Sequence, residues 1–172
     1  MKWQPMEKED IPHANLLADV VHKAHPEDDA IFAERHRLYP GGCYSLIADK
    51  ALAGYLIAHP WRLGPPPALN SLLGALPPNP DTLYLHDIAL APQARGLRLA
   101  TAAVVLLIER AVTAGFSSLS LTAVNNSVGF WQKQGFLLVS KISEGAASCG
   151  EARSMVYPII SPLFSSAAQE NP

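Results

Sequence analysis

The spacing of apolar positions changes repeatedly along the chain, and each change marks an element. Trp3 to Met6 reads as a short first strand. Asp10 then reads as an N-cap with Pro12 in the first turn. Leu16, Leu17, Val20 and Val21 recur at helical spacing, which predicts a helix to about Lys23. A second helix is expected from Glu27 to Arg37, with Asp28, Asp29, Glu34, Arg35 and Arg37 forming a charged face. Tyr39-Pro40-Gly41-Gly42 ends it. Cys43 to Ala48 and Leu52 to Trp61 read as two strands joined by a hairpin turn at Asp49-Lys50. The proline-rich stretch Arg62 to Asp81 follows, with a short helical turn expected at Leu72-Leu73. Both of its flanks read as strands of one sheet, so it is expected to be a lid or wall rather than a linker.

Thr82 to Leu90 is the next predicted strand, broken by Ala91-Pro92-Gln93. The segment Leu97 to Ala114 is apolar nearly all round and reads as a helix buried against a sheet, stopped by Gly115. Ser118 to Val124 reads as a strand. Asn126 or Ser127 caps a short helix that ends at Gln134-Gly135. Phe136 to Ile142 and Arg153 to Ile159 read as two last strands around the small-residue loop 144–150. Strand–helix–strand units in the middle favour parallel pairing there, and the hairpins supply antiparallel edges. One domain over residues 1–160 is expected, followed by a frayed tail over 161–172.

Composition narrows the function. Of 172 residues, 49% are hydrophobic and 16% charged, and the net charge is −2, which gives no general attraction to nucleic acid or an anionic membrane. The longest apolar stretch, Leu99 to Ile108, is too short to span a bilayer. The acidic start argues against a signal peptide, and two scattered cysteines, Cys43 and Cys149, suit a reducing compartment. A cytoplasmic protein is expected. His22, His25 and His36 show no metal-ligand spacing and read as solvated surface residues, so no metal is expected. Cys43 has no evident base beside it and reads as core filler.

The stretch Gln93-Ala94-Arg95-Gly96-Leu97-Arg98-Leu99-Ala100 lies between a strand and an apolar helix. A helix start leaves N–H groups unpaired and favours anions, and Gly96 lets a phosphate approach the backbone. Arg95 and Arg98 add charge, so a diphosphate is the expected guest. An ordinary helix start with two solvent-facing arginines would carry the same residues.

Here the sequence resembles the GNAT superfamily, the general N-acetyltransferases. Their cofactor signature, Q/R-x-x-G-x-G/A, compares with Gln93-Ala94-Arg95-Gly96-Leu97-Arg98, where Arg98 replaces the usual small residue. The segment Leu119 to Phe136 resembles the family's strand, asparagine, short helix, aromatic and Gly-Phe ending. The resemblance implies an α/β (α+β) fold with a mixed, twisted, mostly antiparallel sheet whose two central parallel strands splay apart. It also implies acetyl-coenzyme A as donor. Ile88, Ala89 and Leu90 are then expected to offer backbone groups to the pantetheine arm. Gln93 and Arg95 through Ala100 (Gly96, Leu97, Arg98 and Leu99 between them) hold the pyrophosphate, and Asn126 and Phe130 line the arm.

Acetyl transfer to an amine needs a base, and His86 is the candidate. Strand alternation is expected to put Tyr84, His86, Ile88 and Leu90 on one face and Asp87 on the other. Leu85-His86-Asp87-Ile88-Ala89-Leu90 also resembles the strand of arylalkylamine acetyltransferases, where a histidine at the matching place helps deprotonate the amine. A water chain to Glu34 or Asp87 is the next option. The family's usual acid tyrosine is replaced by Trp131; Tyr84 or Tyr39 substitutes, or the thiolate leaves unaided. Asp28, Asp29 and Glu34 suit a cationic acceptor, and Trp61, Tyr39 and Tyr84 suit an aromatic pocket wall. The expected partner is a small-molecule amine or a peptide amine, with a homodimer left open. A non-catalytic acyl-coenzyme A sensor and a nucleotide-binding regulator are the other readings.

Overall fold

The computed structural model describes residues 1–139 and 152–159. Its strands are β1 (Lys2–Pro5), β2 (Cys43–Ala48), β3 (Ala51–Trp61), β4 (Thr82–Leu90), β5 (Ser118–Ala123), β6 (Leu137–Leu138) and β7 (Arg153–Pro158). They form one sheet in the order β1-β2-β3-β4-β5-β7-β6. Among the described residues, only the β4–β5 pair is parallel. The helices are α1 (Ile11–Val21), α2 (Asp29–Leu38), α3 (Leu99–Thr113) and α4 (Val128–Lys133).

Period-2 alternation divides the apolar side chains between two layers. Leu56, Ala58, Leu83, Leu85, Leu119 and Leu121 pack with Ala103, Val104, Leu107 and Ala111 of α3. Tyr55, Ile57 and Ala89 point the other way, onto Ile11, Ala14, Ile31 and Phe32 of α1 and α2. Helix α3 is not apolar because it is buried all round: Val105 and Val112 remain 49% and 54% exposed on its outer face.

Two boundaries differ from the sequence expectation in ways that matter, and a third settles between its two alternatives. Helix α2 starts at Asp29, with Asp28 extended before it, so Glu27 belongs to the α1–α2 loop. Helix α3 starts at Leu99 because Gly96 and Arg98 both take left-handed conformations, φ +74° and +59°. Ser127 rather than Asn126 precedes α4, since Asn125 and Asn126 are themselves left-handed at φ +53° and +57°. Residues 140–142 of the expected strand, the loop 144–150 with Cys149, and the tail 161–172 lie outside the described residues.

The segment 62–81 is a long hairpin loop between neighbouring antiparallel strands, and it contains no helical turn at Leu72-Leu73. It is fastened to α2. The Glu34 carboxylate accepts the backbone N–H groups of Leu73 at 2.7 Å and Gly74 at 2.9 Å. Arg35 pairs with Glu34 and donates to the Ser71 carbonyl at 2.8 Å. The expected charged face of α2 is therefore partly an interior: Arg35 is fully buried and Glu34 is 8% exposed. A buried charge persists only when paired, and here each partner also satisfies loop backbone. His36 is buried too, not solvated, with Nε2 2.9 Å from the Met6 carbonyl.

Candidate active site

The site is organised by an irregularity in β4. Ile57 pairs with Asp87 and Ala58 with Leu85, so His86 is an extra residue opposite β3. The bulge breaks the expected alternation. Tyr84, His86 and Asp87 all reach the α1/α2 side, whereas Ile88 and Leu90 pack on the α3 side with Ala89 turned back. The expectation that His86 shares a face with Ile88 and Leu90, and opposes Asp87, is thus corrected.

The same strand loses its neighbour at the same place. Pairing of β4 with β5 runs from Thr82–Ser118 to Leu85–Leu121 and stops. Beyond it β4 continues to Leu90, while β5 stays with β7 through Ala123. A strand edge without ladder partners must find other hydrogen bonds. One is supplied: Arg95 Nε donates to the Leu90 carbonyl at 3.1 Å.

Two histidine–carboxylate pairs join β4 to the α1–α2 region. His86 Nε2 lies 2.8 Å from Glu27 Oε2, and His22 Nε2 lies 2.9 Å from Asp87 Oδ1. Asp87 Oδ2 also accepts the Tyr55 hydroxyl at 2.7 Å. Asp19, His22, Glu27, Asp28, Phe32 and Asp87 line a pocket here; among the described residues, no lysine or arginine lines it. Burial opposes ionisation of Glu27, yet the His86 hydrogen bond and charge and the Asn70 amide hold its carboxyl below the ordinary carboxylate value. Burial likewise opposes the His22 charge, but Asp87 outweighs it and holds that imidazole above its ordinary value. Behind His86, at 5.9 Å between ring centroids, is His59. Burial pushes His59 down to about 3, so it stays neutral.

At the end of β4 the chain passes Pro92–Ala94 and enters α3 with no side-chain cap on its first turn. Arg95, Gly96, Leu97 and Arg98 are exposed, and a Cβ at Gly96 would meet nothing within 4 Å. Open space above left-handed backbone, unpaired helix N–H groups and two arginines fit an anionic diphosphate. Leu99 and Ala100 are half-buried, and the Leu99 carbonyl accepts the Trp3 indole N–H at 3.0 Å. Gln93 is exposed on the preceding turn. Asn126 is exposed beyond β5, and Phe130 is half-buried against Trp131 at 4.9 Å.

The remaining candidates separate. Burial pushes Tyr84 up to about 12, and its hydroxyl lies 3.0 Å from Thr122 Oγ1 across the β4–β5 pair. Tyr39 does not line the acceptor side; it packs beneath Arg110 of α3. Trp131 is core, its indole N–H donated to Ser127 Oγ at 3.1 Å. Cys43 is buried and its thiol pushed up to about 12 by that burial, which removes it as a nucleophile. Sequence reasoning passed over Glu27 and His22. In sequence Glu27 falls at the start of the expected second helix and His22 among residues expected on the surface; only the paired acidic and imidazole groups around Pro26 set the segment apart.

No helix among the described residues is long and apolar enough to cross a membrane. The fold is similar to Ard1 from Thermoplasma volcanium, with a TM-score of 0.70 and 12% identity over 93% of this chain and 98% of that one. It is similar to the ribosomal-protein-S18-alanine N-acetyltransferase from Escherichia coli (TM-score 0.65, 19% identity, 92% of this chain and 93% of that one). N-acetylglutamate synthase from Neisseria gonorrhoeae, complexed with coenzyme A and N-acetyl-glutamate, is similar at a TM-score of 0.64 and 16% identity, over 93% of this chain and 35% of that one. No curated protein matches in sequence. The model of the Acetyltransferase (GNAT) family matches residues 7–136, and with most of its length so covered the chain belongs to that family.

Proposed function

We propose that the chain moves the acetyl group of acetyl-coenzyme A to a primary amine, by direct attack with both substrates bound. The observation that carries this reading is a coincidence on β4. The strand parts from β5 after Leu85, ends at an uncapped glycine-containing helix mouth, and bulges its histidine onto Glu27, which lines an acidic pocket. The helix mouth from Arg95 to Ala100 takes the pyrophosphate, with Gln93 beside it. Ile88, Ala89 and Leu90 present backbone to the pantetheine arm, and Asn126 and Phe130 close its other side. Acetyl-coenzyme A supplies the activated acyl group; the protein supplies proximity and proton removal.

His86 is the base. The carboxylates of Asp19, Glu27, Asp28 and Asp87 draw a cationic amine into the pocket, where it must lose a proton to attack. A thiol with a pKa near ~8.5 leaves as thiolate without an acid. Tyr84 then acts as a hydrogen-bond donor rather than a proton source. The loop 62–81 is fastened to α2 by Glu34 and Arg35 and, through Asn70, bonds Glu27 and Asp28 beside the pocket, which favours a small-molecule acceptor. A second reading, a peptide N-terminus, draws support from the likeness to an N-acetyltransferase of ribosomal protein S18 alanine.

Thiol release from acetyl-coenzyme A is the test, measured across a panel of small amines and short peptides. Release on a small amine supports the first reading and release only on peptides the second. Binding without release across the panel points to an acyl-coenzyme A sensor, and absence of binding refutes the site. His86→Ala should cut the rate by roughly 10²- to 10⁴-fold while leaving cofactor affinity within about twofold; an unchanged rate removes His86 as base.

A further inference from the structure

Glu27 stands on the α1–α2 loop, outside both helices, and both of its carboxylate oxygens are engaged. Oε2 lies 2.8 Å from His86 Nε2, and Oε1 accepts the backbone N–H of Asn70 at 2.9 Å. Asn70 sits at the far side of the proline-rich loop with φ +50°. Its own side chain grips the neighbouring residue: Oδ1 accepts the Asp28 N–H at 2.7 Å, and Nδ2 donates to Asp28 Oδ2 at 3.4 Å. The His86 and Glu27 side chains are 7% and 11% exposed, so the contact is largely screened from water.

An ionised carboxylate can only accept, so the proton in this contact belongs to His86 Nε2. In the neutral ring the lone pair is then on Nδ1. No group among the described residues bonds that Nδ1. The charged and titratable groups around the ring are otherwise committed. Asp87 is held by Tyr55 and His22, Arg35 by Glu34, and Tyr84 by Thr122. His59, on β3, directs Nδ1 at its neighbouring Pro60 carbonyl.

We infer that Glu27, held by the Asn70 amide, is a positioning residue that fixes the Nε2–H tautomer of His86, so that Nδ1 takes the proton of the attacking amine. This rests on His86 being the base. The amine lone pair forms the C–N bond, and the C–S pair leaves with sulfur. The amine proton passes to Nδ1 and on to thiolate or solvent. The imidazolium formed in between keeps its Nε2–H on an anion, which stabilises it. Docking of the proline-rich loop is what aims that anion, so loop and base are one unit.

The test combines kinetics with a tautomer measurement. Glu27→Gln retains an acceptor oxygen but removes the charge. It should lower kcat roughly 10- to 100-fold, less than the 10²–10⁴ of a whole base, and move the acidic limb of the pH–rate profile down by about one unit. KM for acetyl-coenzyme A should stay within about twofold. Glu27→Asp should restore the limb but not the full rate. Long-range ¹⁵N–¹H spectra of the wild-type imidazoles should show the neutral His86 ring protonated at Nε2, with a tautomer mixture in Glu27→Ala. A wild-type ring protonated at Nδ1, or an unmoved rate and limb in Glu27→Gln, overturns the inference. If His86→Ala is inactive and Glu27→Gln is unchanged, the base reading stands and this inference alone fails. If His86→Ala keeps full activity, the base reading fails instead.

Discussion

Gly96 offers the cleanest perturbation of the phosphate turn, because stability and affinity separate there. Its φ of +74° is left-handed, and an added Cβ would meet nothing within 4 Å. A side chain at this position therefore costs folding only the backbone penalty, about 1–2 kcal/mol. For a chain of this size that lowers Tm by about 2–8 °C. Asparagine tolerates the conformation better than alanine, so Gly96→Asn should sit at the low end of that range. The same Cβ occupies the space a phosphate would use, so affinity for coenzyme A falls in all three variants, Gly96→Ala, Gly96→Asn and Gly96→Asp. Asn and Asp have nearly the same shape and differ in charge. A unit charge about 4 Å from a phosphate costs between about 1 kcal/mol in water-like and 4 kcal/mol in surface-protein dielectric. Gly96→Asp should therefore bind coenzyme A about 5- to 1000-fold more weakly than Gly96→Asn. Titration calorimetry at two ionic strengths reads this, and the gap should shrink with salt. Equal affinities of the two variants, or wild-type affinity in Gly96→Asp, would refute a diphosphate at this turn.

Arg98 holds φ +59° without the freedom of glycine, so Arg98→Gly should raise Tm by up to about 4 °C through roughly 1 kcal/mol of relieved strain, yet weaken coenzyme A binding by removing a cation. A variant that gained or lost in both scans would contradict this division. Glu34→Ala leaves Arg35 buried and unpaired and frees two loop amides, so chemical denaturation should show a loss of about 3–5 kcal/mol; under 1 kcal/mol would mean that the loop is not anchored there. Glu27, held below its ordinary 4.5, contributes stability above that pH that is lost as pH falls through its folded value. His22, held above its ordinary 6.5, contributes stability below that pH that is lost as pH rises through its folded value. Tm against pH should accordingly sag at both ends, with His22→Ala removing the alkaline loss and Glu27→Gln the acid one; profiles parallel to wild type would remove these pairs from the stability of the α1–α2 region.

Much of this architecture is legible in the chain because it depends on local spacing. The hairpin of β2 and β3, strand β4, the Gly96 turn and helix α3 each follow from residues adjacent in sequence, and all are found within about two residues of expectation. What escapes local spacing is what distant segments do to one another. Glu34 and Arg35 look like a solvated helix face until a loop nearly forty residues later lays its amides on them. His36 looks exposed until the Met6 carbonyl covers it. Glu27 and His86 are separated by fifty-nine positions, and neither sequence neighbourhood announces the other.

The bulge at His86 shows why the most consequential feature was also hidden. A regular strand alternates faces, so it can send His86 and Asp87 only to opposite sides. This strand has to do two things in six residues. From Leu85 it must leave β5, and it must then bury Ile88 and Leu90 on the α3 layer while two polar side chains meet the α1–α2 region. With strict alternation, His86 on the α1–α2 side would put Ile88 and Leu90 there as well, stripping the α3 layer of both. One inserted residue shifts the phase and resolves the conflict: Leu83 and Leu85 stay with α3 before it, Ile88 and Leu90 after it. Nothing in the amino acids Leu85-His86-Asp87-Ile88 marks an insertion, since no glycine or proline is needed. The phase shift exists only relative to Ile57 and Ala58 of the neighbouring strand. Deleting His86 should for that reason leave the layering intact: Leu85 stays opposite Ala58 and Asp87 opposite Ile57 in one unbroken register, so thermal melting should still show a cooperative fold while amine acetylation is lost, and a variant that does not fold would refute this account of the bulge.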